Sequence, residues 1–503
     1  MKYIGHNPNH DNSVVVLNDD GEVEFYAEAE RFGDRQKQTN FLKPLIETFP
    51  NINISEEDII VVVPGGGTRT RIIPEYDDLL VRKVYDDCLF YNGNTLRPSY
   101  VIDHHLAHAF SSWCFRTDNS ERLFLAYDGA GCYACPNMKM KSSLVGVISE
   151  KEFYKIDDAF PIMSSIPIAG IVNAHGNSAG KAMGLAGYFP DVEPMQANSE
   201  NIIKILNSCL SDYNSQPQYC NFIDPNEDDL KFIASFYKFI IEQIWKQVEK
   251  NINKFRTDRG VVIGGGTCLA LEINTRIYNK VKGDLTFGPP INDSGLALGA
   301  AAFAYFHVNG RWPPPIKTPS LQALKKPLPK FGPQDPKEIA ELLSKNTIIG
   351  LLRGKAEAGP RALGFRSILA SAMKEENLKM VSEDLKGREH YRPLAPIVTE
   401  EAFDRYFVGP KGKYMQYRVE CKKEAQECLP AIVHKDNSSR PQVVSKKDDP
   451  WLHNLLTEYG KLTGHPCLIN TSLNAKNKSI CNSFEDAIED FKGKNIELIS
   501  IKN

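Results

Sequence analysis

Short apolar runs broken by polar turns set the pattern of the first half of the chain. Tyr3-Ile4-Gly5 is followed by polar residues up to Ser13, then Val14-Val15-Val16-Leu17, Asn18-Asp19-Asp20-Gly21 and Glu22-Val23-Glu24-Phe25-Tyr26-Ala27. An Asp-Gly turn between apolar runs is a hairpin signal, so this opening predicts a three-stranded meander. Further apolar strands at 59–63, 100–102, 123–127 and 260–263 alternate with helical patterns. Such alternation predicts an α/β domain with room for a duplication, although no short repeat shows at the residue level. Prolines at 313, 314, 315, 319, 327, 329, 333 and 336 exclude a regular helix or central strand there and predict an extended connector. Beyond it, strands at 347–352 and 466–469 and helices at 449–460 and 483–491 predict a second unit of single-domain length. The expected division is 1–312, a proline-rich linker 313–336, and 337–503.

Composition narrows the partners. The chain has 503 residues, with 60 basic against 63 acidic side chains and a formal charge of −3. Duplex binding leaves a basic footprint that this balance lacks, so polymeric nucleic acid is not an expected partner. No stretch reaches the roughly 18 apolar residues of a spanning helix, and the opening residues turn polar at once, so neither membrane insertion nor secretion is expected. The 11 cysteines are scattered and odd in number, with one close pair at Cys132 and Cys135. Reduced thiols and a cytoplasmic location follow as expectations.

Candidate chemistry concentrates in a few segments. Asp103-His104-His105-Leu106-Ala107-His108-Ala109 holds three of the chain's 11 histidines. On a helix starting after strand 100–102, His104 and His108 lie about 40° apart on one face. Asp128, at the end of the next strand, is a natural third ligand. Two imidazoles with carboxylates suit iron(II), manganese or zinc better than magnesium. Glycine-rich turns at 128–131, 176–187, 264–267 and 292–301 suggest a nucleotide cleft, although Gly180-Lys181 is not a Walker A sequence; Gly65-Gly66-Gly67 reads as a plain turn. The C-terminal region gathers Arg353, Lys355, Arg361, Arg366, Lys386, Arg388, Arg392 and Arg440, a pattern suited to a small anion. Asn470-Thr471-Ser472 adds amide and hydroxyl donors at a strand end.

In the order they occur, these segments resemble a known family. His10-Asp11-x-Ser13, Glu28-Ala29-Glu30-Arg31-Phe32, His104-His105-Leu106-Ala107-His108, Asp128-Gly129, Lys181-x-Met183-Gly184-Leu185-Ala186-Gly187 and Asn292-Asp293-Ser294-Gly295 are joined by Glu357-Ala358-Gly359-Pro360-Arg361-Ala362-Leu363-Gly364-x-Arg366. Lys386-x-Arg388, Tyr391-Arg392-Pro393, His434-x-Asp436, Arg440-x-Gln442 and Asn470-Thr471-Ser472-x-Asn474 complete the series. The whole resembles the ATP-dependent O-carbamoyltransferases of the nodulation, cephamycin and aminoglycoside type. It departs from them at Leu473–Ile480 and in Glu28-Ala29-Glu30.

The resemblance implies an α/β fold: a duplicated actin-like N-terminal domain, similar to the tRNA threonylcarbamoyl-transferring enzymes, followed by an α+β YrdC-like domain. It implies activation of carbamoyl phosphate by ATP, with Mg²⁺, to carbamoyl adenylate. Transfer then goes to a hydroxyl of a small acceptor such as an antibiotic sugar, natural product or hydroxymethyl nucleotide. The implied catalytic residues are His10, Asp11, Glu30 and Arg31, with His10 as general base, and the implied ligands of iron or another divalent transition metal are His104, His108, Asp128 and Asp293. Nucleotide contacts are expected at Gly129, Gly180, Lys181, Gly184, Gly187, Gly265, Gly266 and Asn292. Carbamoyl phosphate and ATP contacts are expected at Arg353, Arg361, Arg366, Lys386, Arg388, Arg392, Arg440, Asn470 and Ser472. Acceptor choice is expected to lie in the loops around 65–98 and 130–170, and the oligomeric state stays open. An actin-like sugar kinase or ATPase is the alternative reading of the glycine turns.

Overall fold

The computed structural model describes residues 1–8, 11–32, 57–63, 99–132, 140–157, 178–196, 226–255, 257–281 and 283–501, with position 55 and the short stretches 70–72, 80–84, 89–91 and 94–96. The opening meander forms as its pattern predicts. Tyr3–Asn7 pairs antiparallel with Ser13–Leu17, which pairs antiparallel with Val23–Glu28. Ile59–Val62 then adds parallel to the first strand and Tyr100–Ile102 parallel to it. The same plan returns in the second sheet: Arg122–Cys132, Met140–Ile148 and Phe153–Asp157 form an antiparallel meander, and Val261–Gly264 and Leu285–Phe287 add in parallel on the other side of its first strand. Five strands in the same order and sense make the two halves topological copies. This is the duplication that the actin-like resemblance implies. The Gly65-Gly66-Gly67 turn lies outside the described residues.

The helices His104–Trp113 and Leu296–Asn309 are wedged between the two sheets. Asp103 starts the first: its carboxylate accepts from the Leu106 amide at 2.9 Å, the N-cap bond that satisfies an otherwise orphaned donor. The second helix is buried from Leu296 to Phe306 and rich in alanine and glycine. Small residues let it approach backbone on both sides. A Cβ at Gly299 would lie 1.9 Å from the Ala107 carbonyl oxygen, and one at Gly5 would lie 1.8 Å from that of Ala297.

Past residue 310 the chain stays non-helical until the helix Pro336–Ser344, as its prolines require. The connector is not loose. Ser320–Gln322 forms a short strand on Ala356–Glu357, and the Ala323 amide donates to the Tyr26 carbonyl at 2.7 Å. The C-terminal unit is built on a mixed six-stranded sheet in the order Gln442–Val444, Ala395–Thr399, Cys467–Ser472, Arg366–Ser371, Ile349–Arg353, Glu497–Ile501. Helices Pro336–Ser344 and Pro450–Thr463 cover one face. The other face belongs to an apolar cluster that continues into the second sheet of the N-terminal half through Leu123 and Ile263, and onto the helix Glu227–Lys254 through Tyr237. No helix among the described residues is long and apolar enough to cross a membrane.

Two predictions follow from this packing. Gly299→Ala forces a methyl into backbone and should destabilise the fold by about 1–3 kcal/mol, read as a lower urea midpoint at unchanged m-value. His6, buried on the first strand, is pushed down to about 4 by burial, against the opposing hydrogen bond of Asn12. The unfolded chain therefore binds the extra proton as pH falls from about 6.5 toward 4, and stability should fall over that window by up to about 1.4 kcal/mol per pH unit. His6→Gln should flatten that part of the pH dependence; an unchanged slope would mean the imidazole is not buried neutral.

Candidate functional site

The first site gathers at the join of the two halves. His104 and His108, one turn apart, both aim Nε2 at the end of strand Arg122–Cys132. The two Nε2 atoms are 3.2 Å apart. Asp128 Oδ2 lies 2.8 Å from His104 and 3.4 Å from His108, while Asp293 Oδ1 lies 3.6 and 3.3 Å from them. All four ligand atoms fall within 4.8 Å of one another, and the side chains are buried or nearly so. Atoms bound to one ion at about 2.1 Å stand roughly 3.0–3.4 Å apart, and the separations of 2.8–3.6 Å given above bracket that range. Two imidazole nitrogens facing one point can both serve a cation with lone pairs, whereas only one N–H can serve the other ring. The donor set therefore fits a divalent transition metal.

Electrostatics agree with a site built for positive charge. Burial alone would raise Asp128, but its hydrogen bonds to His104 and His108 hold it well below the usual carboxylate range. Burial likewise opposes a charge on His108, yet Asp128 and Asp293 carry it up to about 9. The glycine triplet braces this arrangement. Gly265 has φ +97°, and a Cβ there would lie 2.0 Å from the Tyr127 carbonyl oxygen. Only glycine fits so close an approach. The next amide, Gly266, donates to Asp128 Oδ1 at 3.1 Å.

The loop after the first strand is tied to the same place. Asn7 Nδ2 donates to the carbonyls of Asp293 (2.9 Å) and Asp11 (3.3 Å), and Asn292 Nδ2 donates to Asp11 Oδ2 at 3.0 Å. Tyr26 hydroxyl donates to the Ser294 carbonyl at 2.9 Å. His10 itself lies outside the described residues. Of the other expected catalytic residues, Arg31 is fully buried and paired with Glu28, and the Glu30 carbonyl accepts from Ser479 Oγ.

The second site lies in the C-terminal sheet domain. Lys386, Arg388, Arg392, Arg440 and Arg361 come together. Burial holds down Lys386, Arg388, Arg361 and Arg440, and neighbouring guanidiniums depress each further, Arg440 to about 10. Like charges held this close call for an anion. Lys386 Nζ is positioned by Ser472 and by Asn474, whose Oδ1 lies at 2.7 Å. Three residues expected here are used otherwise. Arg353 pairs with Asp449, through Nη1 at 2.9 Å, and lies over the rings of Phe365 and Trp451. Arg366 is fully buried among the carbonyls of Arg353, Gly354, Phe365 and Asn482. Asn470 Nδ2 donates to the Ala362 carbonyl and to Gln442.

The helix Ser178–Tyr188, expected to meet nucleotide, faces the C-terminal domain. Lys181 pairs with Glu389 at 2.6 Å, and Glu389 also stands 3.7 Å from Arg392. Gly184 sits against Tyr391 and Pro393, and a Cβ at Gly187 would lie 2.3 Å from His434. Gly180 belongs to the same helix and Gly129 to strand Arg122–Cys132. A cavity of about 510 Å³ opens between this helix, Glu227–Lys254, Leu271–Lys280 and the C-terminal residues Arg418 and Asp436. Inside it burial raises Glu272, to which the Tyr237 hydroxyl donates at 3.4 Å. Glu272 does not stand out in the sequence, because its partner Tyr237 is distant along the chain.

Comparison with known proteins fits this two-part picture. Residues 340–503 match the family model described as Carbamoyltransferase C-terminus. An uncharacterised protein of Methanocaldococcus jannaschii is 28% identical over 451 residues, 80% of this chain and 73% of that protein. Nodulation protein U of Rhizobium tropici is 36% identical over 250 residues, 48% of this chain and 43% of that protein, so the match spans less than half of that relative. Among solved structures, full-length HypF in its phosphate- and nucleotide-bound form is 13% identical over 64% of this chain and 56% of its own, with a TM-score of 0.35, too remote to add to the topology. The C-terminal third of the chain thus matches the family model described as Carbamoyltransferase C-terminus, and the similarity to relatives runs on into the duplicated half.

Proposed function

We propose that the protein is an ATP-dependent O-carbamoyltransferase that makes carbamoyl adenylate in its C-terminal domain and transfers the carbamoyl group to a hydroxyl of a small acceptor at the His/Asp cluster. The observation that carries this reading is the pairing, in one chain, of an anion cluster inside a carbamoyltransferase domain with a separate metal-type cluster. A kinase of the same N-terminal fold needs no such second domain.

In the first step water cleaves carbamoyl phosphate to carbamate and phosphate. A carbamate oxygen then attacks the α-phosphorus of ATP, the bond to the β-phosphate breaks, and pyrophosphate leaves. Arg361, Lys386, Arg388, Arg392 and Arg440 supply the positive charge that lets two phosphate-bearing molecules approach each other; Mg²⁺ would accompany the triphosphate. Ser472 and Asn474 fix the Lys386 ammonium so that little reorganisation is needed.

In the second step the acceptor oxygen attacks the carbamoyl carbon, the bond to AMP breaks, and the hydroxyl proton passes to a base. His10 is the base in this proposal, and the residue after it, Asp11, is fixed by Asn7 and Asn292. Iron or another divalent transition metal on His104, His108, Asp128 and Asp293 would supply positive charge beside the adenylate. Gly129, Gly180 and Lys181 are proposed to flank the nucleotide, while Gly265, Gly266 and Asn292 act by bracing the cluster. Acceptors of the proposed class are antibiotic sugars, other natural-product alcohols and hydroxymethyl nucleotides.

Incubation with ATP and carbamoyl phosphate should release pyrophosphate, with AMP following as the adenylate gives up its carbamoyl group to an acceptor or to water; ADP as the only nucleotide product would rule the adenylate out. Arg388→Ala should slow pyrophosphate release about 10²-fold while leaving Co²⁺ binding intact. His108→Ala should do the reverse, weakening Co²⁺ binding by more than about tenfold, as followed by visible absorption, with pyrophosphate release retained.

A further inference from the structure

We propose that Glu28 and Arg31 are positioning residues which, with Gly359, clamp the C-terminal anion cluster in register with the His/Asp cluster, so that filling one site tightens the other. The inference rests on the two-site reading above and concerns how the sites are joined.

Arg31 is fully buried and Glu28 nearly so. Arg31 Nε donates to Glu28 Oε2 at 3.0 Å, and its Nη2 donates to the Gly359 carbonyl at 2.6 Å. Glu28 Oε1 accepts from the Gly359 amide, also at 2.6 Å. One carboxylate–guanidinium pair thus holds both main-chain groups of a residue in the other domain. A buried pair is a weak source of net stability and is better suited to fixing a unique arrangement.

From Gly359 the contacts run in two directions. Gly359 has φ +87°, and a Cβ there would lie 2.3 Å from the Pro289 carbonyl oxygen. The Pro289–Ile291 turn it presses on is hydrogen-bonded to Gly265, whose amide donates to the Ile291 carbonyl at 3.1 Å. Gly266 holds Asp128, and Asp293 follows Ile291 by two residues. The clamped loop therefore backs the segment that carries one carboxylate and braces the other. In the opposite direction Arg361 follows Gly359 by two residues and bonds the Met415 carbonyl. Glu357 Oε1 accepts from the Leu363 amide at 2.6 Å, stiffening the loop between. An anion drawn onto Arg361 and its neighbours pulls on a rigid loop whose other contact is the metal-type cluster.

The test is a Co²⁺ titration of the full chain, followed by visible absorption, with and without saturating inorganic pyrophosphate. Pyrophosphate should tighten Co²⁺ binding to wild type by about fivefold or more, the lower range of measured couplings. In Arg31→Lys and Glu28→Gln each ligand alone should bind within about twofold of wild type, while the coupling falls below about twofold. Coupling retained in both variants would overturn the clamp, and so would its absence from a wild type that binds both ligands. Should Arg31→Lys fail to fold, the isosteric Glu28→Gln and the wild-type measurement decide. A wild type that binds neither probe overturns the two-site reading itself, and the clamp with it.

Discussion

Placing two carboxylates and two imidazoles around one buried point is the constraint on which the rest of the N-terminal half depends. Desolvation and mutual repulsion would push Asp128 and Asp293 apart or protonate them unless positive charge and rigid bracing hold them. The structure supplies the bracing from three directions. The His104–Trp113 helix, started by Asp103, presents the imidazoles; the Gly264–Gly266 turn fixes Asp128; and Asn7 ties the backbone at Asp293 to the first strand. Each brace needs a close backbone approach. That is why glycine stands at 265, and why the central helix packs through glycine and alanine.

The second constraint is electrostatic and opposite in sign. Burial first, and neighbouring guanidiniums second, lower Lys386, Arg388, Arg361 and Arg440, so the C-terminal domain holds a basic cluster in a chain of net charge −3. The two sites are of complementary kind: one favours cations and the other anions. On the proposed reading, carbamate and its adenylate are short-lived in water, which would favour a fixed geometry between the site of activation and the site of transfer. The connector strand at Ser320–Gln322, the Lys181–Glu389 pair and the apolar cluster shared by both halves all serve that fixed geometry.

Much of this was legible in the chain. The Asp-Gly hairpin, the apolar runs and the four-residue spacing of His104 and His108 are local patterns, and local patterns survive folding. Asp293 came from resemblance, not spacing, since nothing in its neighbourhood distinguishes it from other glycine-turn aspartates. The duplication was legible from the alternation of elements and the resemblance but not as a repeat, because strand order can repeat without any residue repeating. Arg353, Arg366 and Asn470 looked like anion ligands because composition reports charge and polarity but not what faces them; here Asp449, four carbonyls and Gln442 do. Glu28 and Gly359 are 331 residues apart, and no periodicity can signal such a partnership.

The central claim is that the basic cluster forms a reversible adenylate. The most direct measurement is exchange of labelled pyrophosphate into ATP by the purified protein, which needs no acceptor. The account predicts exchange that requires carbamoyl phosphate. Exchange that proceeds equally without carbamoyl phosphate, or none at all in a protein that turns over ATP, would contradict it.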